Sequence, residues 1–297
     1  MKHLVALSDQ KYLPYGLALI ESLQITSRVP WTLHYYCIDS ATYQALVRLA
    51  IPNVHPYSPQ TLTFAPLSRP SSVEVRLSAL REQNFQEFCW TVASVFTHYV
   101  MTSTPGCDSV TYIDSDICFY KDIGRLFSKF GDKHCGIFRH RHFDLDKDYV
   151  EGHYNVGVVY FRNSTLGRRL LSWWMNAVLT RTPAKYATCG DQKFLEFFPT
   201  ICAPSELYVD EGIGHGASWQ WEIYDLSRLS DGIVIWNGEE QELVFNHFSR
   251  FHYDLDTLTF SSGWFKSDSP LWNTPAWVEL HTQYVHALKR AHDRLRK

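Results

Sequence analysis

Residues 109–120 read Ser-Val-Thr-Tyr-Ile-Asp-Ser-Asp-Ile-Cys-Phe-Tyr, a β-branched and aromatic run broken by two aspartates. Such side chains fit a pleated, covered surface, so the residues before the aspartates read as a strand inside a sheet. Side chains two apart on a strand point the same way, which lets Asp114 and Asp116 converge on one point. Two adjacent carboxylates repel unless a cation lies between them. Hard divalent ions such as magnesium or manganese are held by carboxylates that leave positions open for phosphate oxygens. The same triplet also occurs where a strand ends and an aspartate turns back onto its own backbone.

The rest of the chain supplies a setting for that strand. Residues 4–7 read as a first strand and 8–16 as a polar and aromatic loop. A short helix follows, with Leu17, Ile20 and Leu23 on one face. Residues 31–38 are a second strand ending at Asp39, and 42–49 carry a helical pattern. This order predicts an α/β fold with a mostly parallel central sheet and ligands at the carboxyl ends of strands, where Asp9, Asp39 and the Asp114 pair fall. Residues 52–70, rich in proline and serine without a period, read as a surface excursion. Further on, 85–101 reads as helix, 136–140 and 155–161 as strands, the latter central, and 166–179 as helix with Trp173 and Trp174 buried.

From Thr274 the period changes: Thr274 stands at an N-cap, Pro275 at the first helical position, and Trp277, Leu280, Tyr284, Leu288, Ala291 and Leu295 recur every three or four residues. This predicts a terminal amphipathic helix over about 275–296, within a C-terminal extension (251–297) that follows a main domain (1–250). Its end carries Lys289, Arg290, Arg294, Arg296 and Lys297 against the single acid Asp293, which suits an anionic lipid surface or equally a solvated helix C-terminus.

Composition excludes several classes. Of 297 residues, 45 % are apolar and 15 % aromatic, which supplies a core and excludes global disorder. A net charge of -3 argues against a general nucleic-acid binder. Seven cysteines with no Cys-x-x-Cys pair indicate neither a disulfide framework nor a zinc clip, and fit a reducing cytoplasm. Ser8 and Asp9 come too early for a signal peptide, and no stretch is apolar and long enough to span a bilayer, so work at a membrane would be done from its inner surface.

Four stretches, taken in order and spacing, resemble a glycosyltransferase of the GT-A (Rossmann-like nucleotide-diphospho-sugar transferase) fold, most nearly the retaining glycosyltransferase family 8 and related bacterial surface-polysaccharide transferases. They are residues 6–12 (Ala-Leu-Ser-Asp-Gln-Lys-Tyr), 112–116 (Tyr-Ile-Asp-Ser-Asp), 152–158 (Gly-His-Tyr-Asn-Val-Gly-Val) and 190–193 (Gly-Asp-Gln-Lys). The resemblance spans residue 4 to about 251. It implies that Asp9 and Tyr12 hold the nucleotide base, by hydrogen bond and stacking. It implies that Asp114 and Asp116, with His247 as a later ligand, hold a divalent cation, manganese in preference to magnesium, against the diphosphate. Asn155, Asp191 and Gln192 match positions that line the donor sugar; Asp191 is also placed to cap a helix starting near Gln192.

The reaction so implied moves a sugar from a nucleotide-sugar donor, a UDP-sugar by resemblance, to a glycan or glycolipid acceptor in polysaccharide biosynthesis. The cation acts as Lewis acid, Asp191 and Gln192 steady the oxocarbenium-like ring, and the acceptor attacks from the leaving-group side. An inverting course would need a base on the opposite face, for which Asp191 is the one candidate.

Departures from the family pattern bear on the remaining sites. Where a glycine and a lysine commonly follow the metal-binding histidine, this chain has Phe248, Ser249 and Arg250, so Arg250 is the candidate replacement for the phosphate-binding lysine. Residues 139–142 (Arg-His-Arg-His) suit anionic groups on an acceptor, placing His140 and Arg141 there, and equally suit a solvated basic loop. Two histidines two apart with no nearby cysteine make a poor zinc set. His215 lies in a glycine-rich turn, 212–219, with Trp219 a candidate for sugar stacking. A non-catalytic nucleotide-sugar or carbohydrate-binding protein, and a sugar nucleotidyltransferase, are the rivals. The charged set of Asp114, Asp116, Asp191 and His247 argues against the first, and the lack of a glycine-rich basic loop after the first strand against the second.

Overall fold

The structure, a computed structural model, describes residues 1–62, 72–142, 145–186 and 189–297. Its strands are β1 (Lys2–Ser8), β2 (Trp31–Cys37), β3 (Val54–Tyr57), β4 (Ser109–Ile113), β5 (Ile117–Phe119), β6 (Cys135–Arg139), β7 (Tyr154–Arg162), β8 (Leu207–Val209), β9 (Gly214–Ala217), β10 (Ile233–Trp236), β11 (Glu239–His247), β12 (Phe251–Tyr253) and β13 (Phe260–Ser262). The helices are α1 (Leu13–Thr26), α2 (Ser40–Leu49), α3 (Ser72–Gln83), α4 (Phe85–Ser103), α5 (Gly124–Phe130), α6 (Leu145–Glu151), α7 (Thr165–Thr180), α8 (Phe198–Ile201) and α9 (Pro275–Arg296). Residues 63–70 of the excursion read over 52–70 lie outside the described residues; its start carries the edge strand β3.

The main sheet runs β3-β2-β1-β4-β7-β6-β8. All neighbours pair in parallel except around β7, which is antiparallel to both β4 and β6. The sheet is therefore largely parallel, as the strand and helix order predicts, with one reversed strand at its centre. β4 and β2 are buried at every residue, which is why they read as unbroken apolar runs. One face is covered by α3, α4 and α7 through Leu80, Phe96, Val100, Leu170 and Trp174. The other is covered by α1, α2 and α5 through Leu17, Ile20, Leu46, Leu126 and Phe130. Trp174 is fully buried, whereas Trp173 is only half-buried and stacks on Phe197 at 3.8 Å. The helix after β1 begins at Leu13, with Pro14 in its first turn, so the loop is shorter than the sequence suggests.

A second sheet, β10-β11-β5 with β9 beside β11, is built against the carboxyl edge of the first. Residues 214–217 form the strand β9 rather than a turn. Glycines permit its close approach to β11: a Cβ on Gly214 would sit 2.5 Å from the Glu242 carbonyl, and one on Gly216 2.4 Å from Asn246.

The long helix α9 has the predicted face: Trp277, Leu280, Tyr284, Leu288 and Ala291 are buried, joined by His281, Val285 and Ala287. That face packs on the second sheet and on α1, and the Tyr284 ring stacks on Phe248 at 3.6 Å and 9°. Thr274 occupies the N-cap position, but its hydroxyl donates to the Pro270 carbonyl rather than capping α9. No helix among the described residues is long and apolar enough to cross a membrane. All seven cysteines are free thiols. Because Trp277 is fully buried, Trp277→Ala should lower the unfolding free energy by about 3–5 kcal/mol, measured by urea unfolding; a loss under about 1 kcal/mol would mean that α9 is not part of the core.

Candidate active site

The main sheet puts most of its chemistry on one edge. β1, β2 and β4 run the same way and end at Ser8, Cys37 and Ile113, so Asp9, Asp39 and Asp114 leave from the same side. β7 runs in the opposite sense, so its amino end, Tyr154 and Asn155, arrives at that edge too. A cleft of about 450 Å³ opens there. It is lined by Asp9, Tyr12, Asp114, Asp116, His140, Asn155, Asp191, Gln192, Trp219, His247 and Arg250, gathered from seven separated stretches.

Asp114 and Asp116 lie in the turn between β4 and β5, not within a strand, and Ile117 N donates to Asp114 O at 3.1 Å to close it. They converge because the turn folds both toward His247. The antiparallel pairing of β5 with β11 sets His247 opposite Ile117, and Phe248 N donates to the Asp116 carbonyl at 2.9 Å. His247 Nε2 is 3.1 Å from Asp116 Oδ1 and 3.6 Å from Asp114 Oδ2. One ligand atom from each of the three lies within 4.8 Å of the others.

The donor set fits a divalent cation on two further grounds. His247 Nδ1 is 3.1 Å from Asn155 Oδ1, and that oxygen can only accept, so Nδ1 carries the proton and Nε2 faces the carboxylates as a ligand. The carboxylates themselves are crowded. Burial, with the adjacent Asp116 charge, raises the Asp114 pKa in spite of His247 and a 2.6 Å hydrogen bond from Tyr112. Burial and then Asp114 push Asp191 well above the usual carboxylate range. Burial lowers the His247 imidazole, but Asp116 and then Asp114 outweigh it and raise the pKa above the ordinary value. A set that draws protons in this way is one a bound cation would relieve.

Around this trio the remaining residues form two groups. Asp9 accepts from Tyr12 N at 2.8 Å, which fixes the loop and holds Tyr12, 44 % exposed, over the cleft. Asp39 instead caps α2, accepting from Thr42 N, and also holds Gln10 N at 2.8 Å. Gln192 accepts from Asn155 Nδ2 at 2.8 Å and donates to the Glu151 carbonyl at 2.8 Å, so His247, Asn155 and Gln192 form one hydrogen-bonded row. Asp191 is buried in the cleft wall, but it does not cap the 3₁₀ turn at 193–197, whose N-cap position is Gln192. Gly190 beside it has φ +50°, and its missing side chain is what lets the Trp90 ring approach. Arg250 lines the cleft in a left-handed conformation (φ 51°), its guanidinium 5.2 Å from the Trp264 ring.

Several lining residues had no readable signal in the sequence. Phe85, Gln86, Cys89 and Trp90 come from the first turns of α4, where apolar residues on every side hide which face meets the cleft. Glu151 ends α6, and Trp264 comes from beyond residue 250. Among these, Gln86 and Trp90, four apart on a predicted helix, were the nearest to a detectable pattern.

No family model matches the chain. Over 254 residues, 80 % of this chain and 77 % of the other, it is 27 % identical to the uncharacterized protein YfnF of Bacillus subtilis (strain 168). Over 226 residues it is 25 % identical to YfnD of the same organism, covering 74 % and 68 % of the two chains. Among solved structures it superposes on the galactosyltransferase LgtC, crystallised with donor and acceptor sugar analogues, with a TM-score of 0.57 at 12 % identity over 97 % of this chain and 95 % of that one. It also matches the glycosyltransferase GlyE of Streptococcus pneumoniae TIGR4, with a TM-score of 0.53 at 14 % identity over 100 % of this chain and 63 % of that one. The fold is that of the GT-A glycosyltransferases.

Two residues assigned to the acceptor side lie elsewhere. Arg141 points away from the cleft into a buried ion pair with Asp210, both side chains 0 % exposed, and also donates to Tyr224 and Gln241. Its guanidinium stacks on Trp236 at 3.8 Å. His215 is buried behind it, 3.3 Å from Asp210. A guanidinium buried without a carboxylate would be costly, and Asp210, just past β8, meets that need. Burial raises the Asp210 carboxyl, but the hydrogen bond and charge of His215 and the charges of Arg141 and Arg139 bring it down to about 2. Burial keeps His215 neutral near pH 7, with its pKa pushed to about 4, so the arginines carry the charge effect there. A carboxyl depressed from 3.8 to about 2 contributes stability above pH 3.8 that is lost as pH falls toward 2. Asp210→Asn should therefore cost about 3–5 kcal/mol at pH 7, with the gap to the parent narrowing below about pH 4; an equal gap in urea midpoint at pH 7 and pH 3 would refute the assignment.

Proposed function

We propose that the protein is a metal-dependent glycosyltransferase that moves a sugar from a nucleoside-diphosphate donor, UDP by resemblance, to a glycan or glycolipid acceptor with retention. The observation that carries this reading is the convergence of Asp114, Asp116 and His247 between two groups of cleft residues. Tyr12 and Asp9 line the same cleft, Asn155 and Gln192 join it through the hydrogen-bonded row from His247, and Asp191 lies close enough to Asp114 for its charge to be felt. That layout matches a ligand with a flat base at one end, a diphosphate in the middle and a sugar at the other.

Each residue then has a defined task. Tyr12 offers an exposed ring for stacking, and the Asp9 oxygen not held by Tyr12 N is available to a base N–H. When bound, a divalent cation, manganese by resemblance, draws charge from the departing diphosphate. Asn155 fixes the His247 tautomer, and the same amide links to Gln192, so the ligand histidine and the sugar wall are held in one geometry. Asp191 presents a carboxyl oxygen to a ring that gains positive charge as the anomeric bond breaks, and Gln192, whose amide oxygen is held by Asn155 Nδ2 and Val156 N, steadies the wall beside it. Arg250, on the cleft wall, supplies the cation expected of the family lysine. We place the enzyme at the cytoplasmic face of the membrane in surface polysaccharide or glycolipid synthesis. The apolar face of α9 is buried, so membrane contact would be electrostatic, through Lys289, Arg294, Arg296 and Lys297, since Arg290 pairs with Glu21 at the helix surface.

Incubation with a panel of nucleotide sugars should release free nucleoside diphosphate from one of them with manganese and not with chelator, and Asp116→Asn should slow that release on the order of 100-fold. Binding of a nucleoside diphosphate without release from any donor, acceptors included, would favour the non-catalytic reading. Reversing Lys289, Arg294 and Arg296 to glutamate should weaken binding to phosphatidylserine vesicles by about 1 kcal/mol per charge; unchanged vesicle sedimentation would refute the membrane contact. Deleting residues 275–297 is unsuitable for that test because it removes core.

A further inference from the structure

His140, His142 and Glu151 have no part in the proposed transfer. Each offers one ligand atom, and those atoms lie within 4.8 Å of one another. The two imidazoles are 2 % and 5 % exposed, with ring centroids 4.1 Å apart, and the Trp219 ring packs against both. His140 follows β6 directly and Glu151 ends α6, and both line the cleft. The pair of histidines alone makes a poor tetrahedral set; the third ligand comes from nine residues further along the chain.

The hydrogen bonds leave lone pairs where a metal would need them. His140 Nδ1 lies 3.0 Å from the Gly152 carbonyl, which can only accept, so Nδ1 holds the proton and Nε2 is left as an acceptor without a protein partner among the described residues. Orientation of one ring nitrogen by a backbone carbonyl is the usual support of a metal-ligating histidine. His142 Nε2 donates to Glu151 Oε2 at 3.1 Å, which leaves its lone pair on the buried Nδ1, without a partner among the described residues. Burial holds His140 neutral, with its pKa pushed to about 3, the form that ligates. The hydrogen bond to His142 keeps Glu151 below its usual carboxyl range. Lys147 and Arg250, the cations that face this corner, rest over the Trp264 ring at 4.1 and 5.2 Å.

We propose that His140, His142 and Glu151 form a second metal site, for a zinc-like ion, on the cleft wall. Two imidazoles and one carboxylate with a fourth position open are a borderline, tetrahedral donor set, whereas the carboxylate-rich Asp114 trio suits a harder ion. In a tetrahedral site, ligand atoms about 2.1 Å from the ion stand about 3.4 Å apart, so closing the site takes relative movements of up to about 1.4 Å. His140 and Glu151 both line the cleft, so an acceptor hydroxyl or carboxylate there would be within reach of an ion they held.

The test uses the full chain stripped with chelator and titrated with zinc chloride in a calorimeter, without donor. The parent should bind two equivalents, Asp116→Asn with His247→Ala one, and the same pair combined with His142→Ala and Glu151→Gln none. Cobalt(II) bound to the Asp116→Asn, His247→Ala protein should show the visible absorption of a tetrahedral site, lost on adding Glu151→Gln and His142→Ala. Glu151→Gln alone, which preserves shape, should weaken zinc binding at that site at least tenfold in the parent, with circular dichroism confirming the fold. No zinc bound to the protein lacking Asp116 and His247, or zinc retained after His142 and Glu151 are replaced, would overturn the proposal. Donor release with manganese is a separate readout, so either proposal can fail while the other stands.

Discussion

Like charges in a cleft of low dielectric repel, and the layout around Asp114, Asp116 and Asp191 is organised by that repulsion. Two unit charges 4 Å apart at an effective dielectric of 20 interact by about 4 kcal/mol, comparable to a large share of a domain's net stability. The chain offsets this by fixing the backbone on every side. Asp114 N is held by the Gly157 carbonyl, the Asp116 carbonyl by Phe248 N, and Tyr112 donates to the Asp114 carboxylate. The two sheets meet at this point, and the pairing of β5 with β11 is what brings an imidazole to the carboxylates.

Much of this was legible because it is local. The β-branched run before Asp114 and the spacing of Trp277, Tyr284 and Leu288 encode themselves over a few residues, and the structure returns them nearly unchanged, whereas neither Thr274 nor Asp191 caps a helix with its side chain. Asp114 and Asp116 do converge, but through the turn between β4 and β5 rather than through a shared strand face. What could not be read was long-range complementarity. Arg141 looks like a cleft cation in sequence, but its partner Asp210 lies sixty-nine residues away, and the pairing turns it inward. Glu151, Trp90 and Trp264 reach the cleft only through the reversal of β7, the packing of α4 and the return of residues beyond 250.

The reversed strand has a second effect. Because β7 enters the carboxyl edge with its first residues, Asn155 stands between the Asp114 trio and Gln192, and one amide touches both His247 and Gln192. The row continues through Gln192 to the backbone of Glu151, beside His140 and His142.

The stacking of Tyr284 on Phe248 also sets an order in time. Phe248 follows the ligand His247 directly, and the ring that covers it arrives thirty-six residues later. A chain emerging from the ribosome at 5–20 residues per second can assemble the main sheet and expose Asp114 and Asp116 while Phe248 still has no lid. Seating of His247 beside Asp114 and Asp116 is thereby tied to α9, so that a chain cut short before Tyr284 would carry the two carboxylates without the ring that covers Phe248.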